Sequence, residues 1–318
     1  MSLNKICLVG ANGNLGSVIL PALLSADFQV TILQRSTSNS KPPSHPNATI
    51  KPVDPDFALP DITAALRGQD AVIAAFPLPG RLQHHLRLAY AAAEAGVRRY
   101  IPADFGSCDA ADPEALRRLQ LYRDKVRVRE RCEELAREFS SAAAVAGRGE
   151  GGAFTWTAVV CGHFFDWGLK GGFLHFDIDK QEALLLDGGN VPASASTLRR
   201  VGEAVVAVLR KPDETANKTL YVQSFNPTQR QVLAALEKAT GGKWTVREEE
   251  SGAFLDRQQR RLDEEGDKHA VEEIVFALGA LDADWAKKPG FAMELLGLED
   301  EDLEEVVKSV VEEYRASK

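Results

Sequence analysis

The chain has 318 residues, with 38 basic against 46 acidic side chains and a formal charge of −8, enough length for one large domain or two modest ones with real cores. Its acidic residues are concentrated in the last third, which argues against nucleic acid or anionic membrane as a partner, and no run approaches the roughly 18 apolar residues that cross a bilayer. Cys7, Cys108, Cys132 and Cys161 show no paired spacing and read as reduced, and without a basic-then-apolar leader the expected location is cytoplasmic.

Lys5-Ile6-Cys7-Leu8-Val9 reads as a short apolar strand that runs directly into Gly10-Ala11-Asn12-Gly13-Asn14-Leu15-Gly16, with the apolar helical run Val18 to Leu24 behind it. Strand, glycine turn and helix in that order form a dinucleotide-binding fingerprint. One glycine turns the chain sharply, one leaves room for a pyrophosphate against the backbone, and one lets the helix pack on the strand. The helix amides then face the phosphates. A glycine turn alone also closes ordinary loops, so its position after a strand and before a helix carries the reading.

Phe28 to Leu33 alternates as a second strand ending at Gln34-Arg35. An NAD-selective site usually has an acidic residue there to grip the ribose hydroxyls. This chain offers Arg35, Ser36 and Thr37, which suits a 2′-phosphate; a solvated arginine at a strand end is the competing reading. The Pro- and Ser-rich stretch 38–47 reads as a loop in which Lys41 is a candidate second cation.

Thr49 to Val53 is a short strand and Leu59 to Leu66 a helix. Ala71 to Phe76 is a continuous apolar run, as expected of a central parallel strand buried on both faces, so its carboxyl end, Phe76-Pro77, falls where ligands bind in open α/β sheets. His84 and His85 lie on the following helix, Leu82 to Ala95, but point to different sides of it and have no third ligand at metal spacing, so no metal site is expected.

Arg99 to Pro102 forms the next strand, and the alternation so far predicts an α/β, Rossmann-type doubly wound parallel sheet. One helix is expected from about Pro113 to Phe139, with Leu121, Lys125, Val128, Cys132, Leu135 and Phe139 on a single stripe. A lysine in such a stripe either snorkels at its edge or has chemistry to do. Residues 140–152, dominated by Ala, Gly and Ser, read as a flexible surface insertion. Phe154 to Val160 is a strand leading into His163, Phe164 and Trp167, an aromatic group that suits a planar substrate or a nicotinamide, or else plain core packing. Further helices are expected at Thr197 to Leu209, Thr228 to Thr240 and about Asp300 to Tyr314, with strands at Leu220 to Val222 and Trp244 to Val246.

Several of these stretches together resemble the NmrA-like, isoflavone reductase-like branch of the atypical short-chain dehydrogenases, and within it the fungal isoflavone reductase-like proteins. The resemblance rests on the glycine turn, Arg35, Gly68 to Ile73, Ala95 to Gly106 with its Pro102-Ala103-Asp104-Phe105-Gly106 core, and Lys125 with Arg129 four residues on. It implies an NADPH-binding Rossmann domain over residues 1–160 and a smaller, mostly helical substrate domain over 161–318, with segments at about 190–210 returning to the first. Asp104 and Phe105 would then border the cofactor, Lys125 would be the catalytic proton donor beside the nicotinamide, and His163, Phe164 and Trp167 would face a small aromatic substrate. A monomer or homodimer is expected. Tyr122 and Lys125 are separated by two residues where the better-known short-chain dehydrogenases have three, so that dyad is not assumed. The family's Ser-Glu before Phe-Gly is Ala103-Asp104 here, which keeps a second reading in play: a non-catalytic, NmrA-like regulator that senses a dinucleotide.

Overall fold

The structure, a computed structural model, describes residues 2–40, 42, 44–145 and 153–318. The chain begins β1 (Lys5–Val9), α1 (Gly16–Ser25), β2 (Gln29–Arg35), β3 (Ala48–Val53), α2 (Leu59–Leu66), β4 (Ala71–Ala74), α3 (Leu82–Glu94) and β5 (Arg99–Ile101). It continues α4 (Pro113–Arg118), α5 (Gln120–Val145), β6 (Thr155–Val160), β7 (His163–Phe164), α6 (Phe165–Lys170), β8 (Phe176–Asp177), β9 (Glu182–Leu186) and β10 (Ala195–Ser196). The remainder is α7 (Leu198–Arg210), β11 (Lys218–Tyr221), α8 (Gln229–Thr240), β12 (Thr245–Glu249), α9 (Ser251–Glu265), α10 (His269–Leu281), α11 (Met293–Leu296) and α12 (Leu303–Ala316). Among the described residues no helix is long and apolar enough to cross a membrane.

The chain divides into two compact units: Met1–Asp104, Gln120–Val159 and Val201–Leu220 in the first, Phe105–Leu119, Val160–Arg200 and Tyr221–Lys318 in the second. This differs from a division at residue 160 in two ways. The stretch Phe105–Leu119 belongs with the second unit, and the segment returning to the first is Val201–Leu220, later than the expected 190–210.

The first unit carries a seven-stranded sheet in the order β11-β6-β5-β4-β1-β2-β3, and every neighbouring pair from β3 to β6 is parallel. This is a Rossmann-type doubly wound sheet, and its strand order reverses between β1 and β4. All four residues of β4 are buried, as a strand covered on both faces requires. The stripe on α5 is real: Val128, Cys132 and Leu135 are buried, with Leu121 and Phe139 packed against the same cluster. The returning segment of α7 comes close to α1 because Gly202 has no side chain; a Cβ there would stand 3.1 Å from Ala22 Cβ and 3.2 Å from the Val18 carbonyl.

Two expectations about the long helix change. The single helix from Pro113 is two helices, because Leu119 is extended (φ −124°, ψ 133°) and buried, which the apolar period cannot register. Asp112 caps α4 by accepting from the amides of Glu114 (2.8 Å) and Ala115 (3.1 Å), with Pro113 opening the helix. At its other end α5 continues to Val145, six residues past Phe139, so the stretch expected to be a loop from residue 140 begins as helix. Alanine-rich sequence is good helix-forming sequence, which the composition argument overlooked. Residues 146–152 lie outside those described.

Arg99, read as an ordinary strand residue, is 1% exposed. Its guanidinium donates to the hydroxyls of Thr155 (3.0 Å), Thr157 (2.9 Å) and Thr215 (2.8 Å) and to the Pro212 carbonyl. Burial pulls its pKa down to about 10, partly offset by Asp213. These neutral oxygens satisfy a charge that would otherwise be costly to bury.

The second unit pairs β7 with β10 and builds a small sheet in the order β12-β9-β8. In that sheet β9 pairs antiparallel with β8 and parallel with β12. Most of its remaining mass is helical. Thr228 and Gln231 form a reciprocal capping box on α8, Gly241 ends that helix in the left-handed conformation, and Asp302 caps α12.

Candidate functional site

At the carboxyl ends of β1, β2 and β4, where the strand order reverses, the first unit opens a cleft of about 290 Å³. Gly10, Asn12, Gly13, Arg35, Phe76 and Pro77, all singled out in the sequence, line it. Asn14, Leu15 and Gly16 do not; they form the bend and first residue of α1 behind it.

Each glycine can be assigned its reason. Gly10 has φ +93°, and a Cβ on it would stand 2.4 Å from the Ala75 carbonyl oxygen, so the turn after β1 packs directly on the exit of β4. Gly16 would collide with the Gly10 carbonyl oxygen at 2.0 Å, which is the close helix-to-strand packing the fingerprint demands. Gly13 has only ordinary contacts, the nearest at 3.5 Å. Its missing side chain therefore leaves room on the cleft side. Helix α1 has no side-chain N-cap and no acidic residue in its first turn, so the protein itself does not neutralise the positive end of that helix. These features fit the phosphates of a dinucleotide.

Arg35 is exposed at the end of β2, and no side chain among the described residues pairs with it. Lys41 lies outside the described residues. Gln34, not singled out in the sequence, donates to the carbonyls of Ser38 (3.3 Å) and Ser40 (2.7 Å) and so folds the following segment back until both serines line the cleft. Phe57, Arg81 and His84 complete the lining. The local sequence gives no hint of them: Phe57 follows β3, which pairs beside β2, and Arg81 and His84 follow β4, which pairs beside β1. Among the described residues no aspartate or glutamate lines the cleft.

His85 supports the far wall from behind. Its ring is buried and stacks on Phe76 (centroids 3.9 Å, interplanar 10°), and Nε2 lies 3.3 Å from the Pro77 carbonyl, a bond it makes as donor in the tautomer protonated there. Burial holds its pKa down to about 4, so the ring is neutral at ordinary pH.

A second cluster in the same unit surrounds Lys125. The ammonium donates to the Asp104 carbonyl (2.5 Å) and lies 5.7 Å from the Tyr122 ring centroid. The Asp104 carboxylate forms a buried two-pronged ion pair with Arg129. The Asp104 carboxylate is thus committed to Arg129, and its contribution near Lys125 is a backbone oxygen. Spacing also explains the arrangement: Lys125 and Arg129 are one helical turn apart and face the same way.

In the second unit Phe105 is buried with φ +34°. His163 is buried between Phe173 (5.6 Å, edge-on) and Phe276 (6.0 Å, stacked) and borders an apolar cavity of about 40 Å³. Gly279 makes room for its ring, since a Cβ there would stand 2.4 Å from Nε2. Burial lowers the His163 pKa to about 4. Phe164 is partly buried, and Trp167, 41% exposed, packs its ring against Phe173 (6.0 Å). Cys7, Cys108, Cys132 and Cys161 are all buried.

Residues 2–152 match the NmrA-like family. The oxidoreductase aprR of Aspergillus flavus is 37% identical over 244 residues, 76% of each chain. The oxidoreductase poxI of Penicillium oxalicum is 31% identical over 314 residues, 97% of this chain and 94% of that one. Among solved structures, an isoflavone reductase superposes with a TM-score of 0.72 at 20% identity, covering 97% of this chain and 99% of that one. A binary complex of leucoanthocyanidin reductase with NADPH from Vitis vinifera gives 0.71 at 16% identity, with 97% and 99% covered.

Proposed function

The chain belongs to the NmrA-like family, and on that premise we propose that it is an NADPH-dependent reductase of a small aromatic or conjugated compound, with Lys125 as proton donor. The observation that carries the cofactor reading is the cleft at the sheet's reversal point. It has a glycine-lined phosphate cradle on one side, Arg35 at the end of β2, and, among the described residues, no carboxylate to repel a 2′-phosphate. Full-length relatives named as oxidoreductases, and an NADPH complex of the same fold, support the same reading. The first unit is then the nucleotide-binding unit and the second the substrate-binding one.

When bound, the reduced nicotinamide supplies a hydride, and the carbonyl or enone that receives it develops negative charge on oxygen. Lys125 answers that charge. Its ammonium, steadied by the Asp104 carbonyl, stabilises the oxyanion and gives up a proton to it. Arg129 acts one step back, holding Asp104 so that its carbonyl stays aimed at Lys125. In the second unit, His163, Phe164 and Trp167 offer aromatic surface to a planar substrate, with His163 neutral.

Cofactor titration tests the reading. The unmodified protein is expected to bind NADPH more tightly than NADH by roughly tenfold to a hundredfold, about 1.5–3 kcal/mol, as charge-assisted bonds to a phosphate provide. Arg35→Ala should narrow that gap by about tenfold while leaving NADH affinity almost unchanged, measured by nicotinamide fluorescence. Equal affinities for the two cofactors in the unmodified protein would overturn the NADPH assignment.

A further inference from the structure

We propose that Arg81 is a second determinant of selectivity for the 2′-phosphate, facing it from the β4 side of the cleft while Arg35 faces it from β2. The inference rests on the NADPH reading above and adds a residue to it. Arg81 is partly buried and lines the same cleft as Arg35. Its backbone is fixed at both ends. On one side Leu78-Pro79-Gly80-Arg81 is a tight turn closed by the Arg81 amide on the Leu78 carbonyl (2.8 Å). Proline stands at the second position and Gly80, φ +71°, at the third, the residues that a type II turn asks for. On the other side the Arg81 carbonyl accepts from the amides of His84 (3.0 Å) and His85 (3.3 Å), the opening turn of α3.

The guanidinium carried by this well-anchored backbone has no hydrogen-bond or ion-pair partner among the described residues. The nearby charge does not supply one either. In a chain of net charge −8, the described residues that line this cleft include two arginines and no carboxylate. Two like charges lining one concave surface repel each other and raise its positive potential. A phosphate monoester, carrying close to two negative charges at neutral pH, relieves both at once. The bridging pyrophosphate of a dinucleotide is already provided for by the glycine turn and the start of α1, so the group left for the two arginines is the one that distinguishes NADP from NAD.

The test is equilibrium binding, without turnover, of NADP⁺, NAD⁺, 2′,5′-ADP and 5′-AMP by calorimetry to the unmodified protein, Arg81→Ala, Arg81→Lys and the Arg35→Ala/Arg81→Ala double variant. Arg81→Ala should weaken NADP⁺ and 2′,5′-ADP about tenfold and leave NAD⁺ and 5′-AMP within about twofold. Arg81→Lys should recover part of the loss, and the double variant should show no preference between the cofactors. If Arg81→Ala weakens phosphorylated and unphosphorylated ligands equally, or weakens neither, the assignment of Arg81 is overturned while that of the cofactor stands. No preference for NADP⁺ in the unmodified protein overturns both. Should Arg81→Ala fold poorly, Arg81→Gln, which keeps the stem and loses the charge, is read by the same criteria.

Discussion

Lys125→Met is expected to lower turnover by at least about a hundredfold, the usual scale for losing a positioned acid, while NADPH affinity changes by less than about tenfold. Methionine keeps the length and apolar packing of the stem beside Leu121 and Val128 on α5, and removes only the ammonium that the Asp104 carbonyl holds. The measurement is single-turnover oxidation of NADPH with the best substrate found in a screen of aromatic ketones, enones and aryl ethers. A fully active variant would remove Lys125 from the mechanism and turn attention to His163. Complete lack of hydride transfer in the unmodified protein, with Lys125→Met altering only nucleotide binding, would instead favour the dinucleotide-sensing regulator.

Acid should destabilise the protein well before its ion pairs are titrated. An ordinary histidine titrates near pH 6.5. His85 and His163 are held down to about 4 by burial, so between those values the unfolded chain takes up protons that the folded chain refuses. The sign follows directly. Their contribution is intact above about pH 6.5 and is lost progressively as the pH falls toward 4, by up to roughly 3 kcal/mol for each ring. Carboxylates such as Glu114, drawn down to about 2 by Arg117 and Arg118, contribute at lower pH. Urea unfolding at intervals from pH 7.5 to 4.5 measures the slope. His85→Asn, which has no titrating ring, should be less stable at pH 7.5 yet fall less steeply with acid. An unmodified protein equally stable at pH 7 and pH 5 would contradict the account.

Much of the site near β1 and β2 is legible in the sequence because its determinants are local: Gly10, Gly13, Gly16 and Arg35 follow their strands within a few residues. The parallel sheet is legible for the same reason, each strand and helix carrying its own period. What escapes is whatever depends on distant pairing. Arg81 and Phe57 join the cleft through the neighbours that their strands acquire in the sheet. The strand Glu182–Leu186 is short, and its partner Thr245–Glu249 is far along the chain, so nothing nearby marks it. The break at Leu119 leaves the apolar period intact on both sides and is announced only by the Asp112-Pro113 cap, a signal that marks the start of α4 but not its end. Asp104 and Arg129 are visible as two residues of one family pattern, but no spacing argument reveals that the carboxylate pairs with Arg129 while the backbone carbonyl accepts from Lys125.

Arg99 bears on how the molecule can be made. A ribosome releases the chain from its N-terminus at about 5–20 residues per second, and Thr215 emerges 116 residues after Arg99, a delay on the order of ten seconds. Throughout that interval the sheet can begin to form, but the place where Arg99 will be buried lacks Thr215 and the Pro212 carbonyl, two of the four oxygens that make burial tolerable. A nascent chain stalled before about residue 200 therefore has to leave that guanidinium in water and the β6 edge, which β11 later covers, open. Chains stalled at increasing lengths should show protease resistance arriving late, as a single step once the Thr215 segment has cleared the exit tunnel, because the first unit is completed by residues that are translated after part of the second.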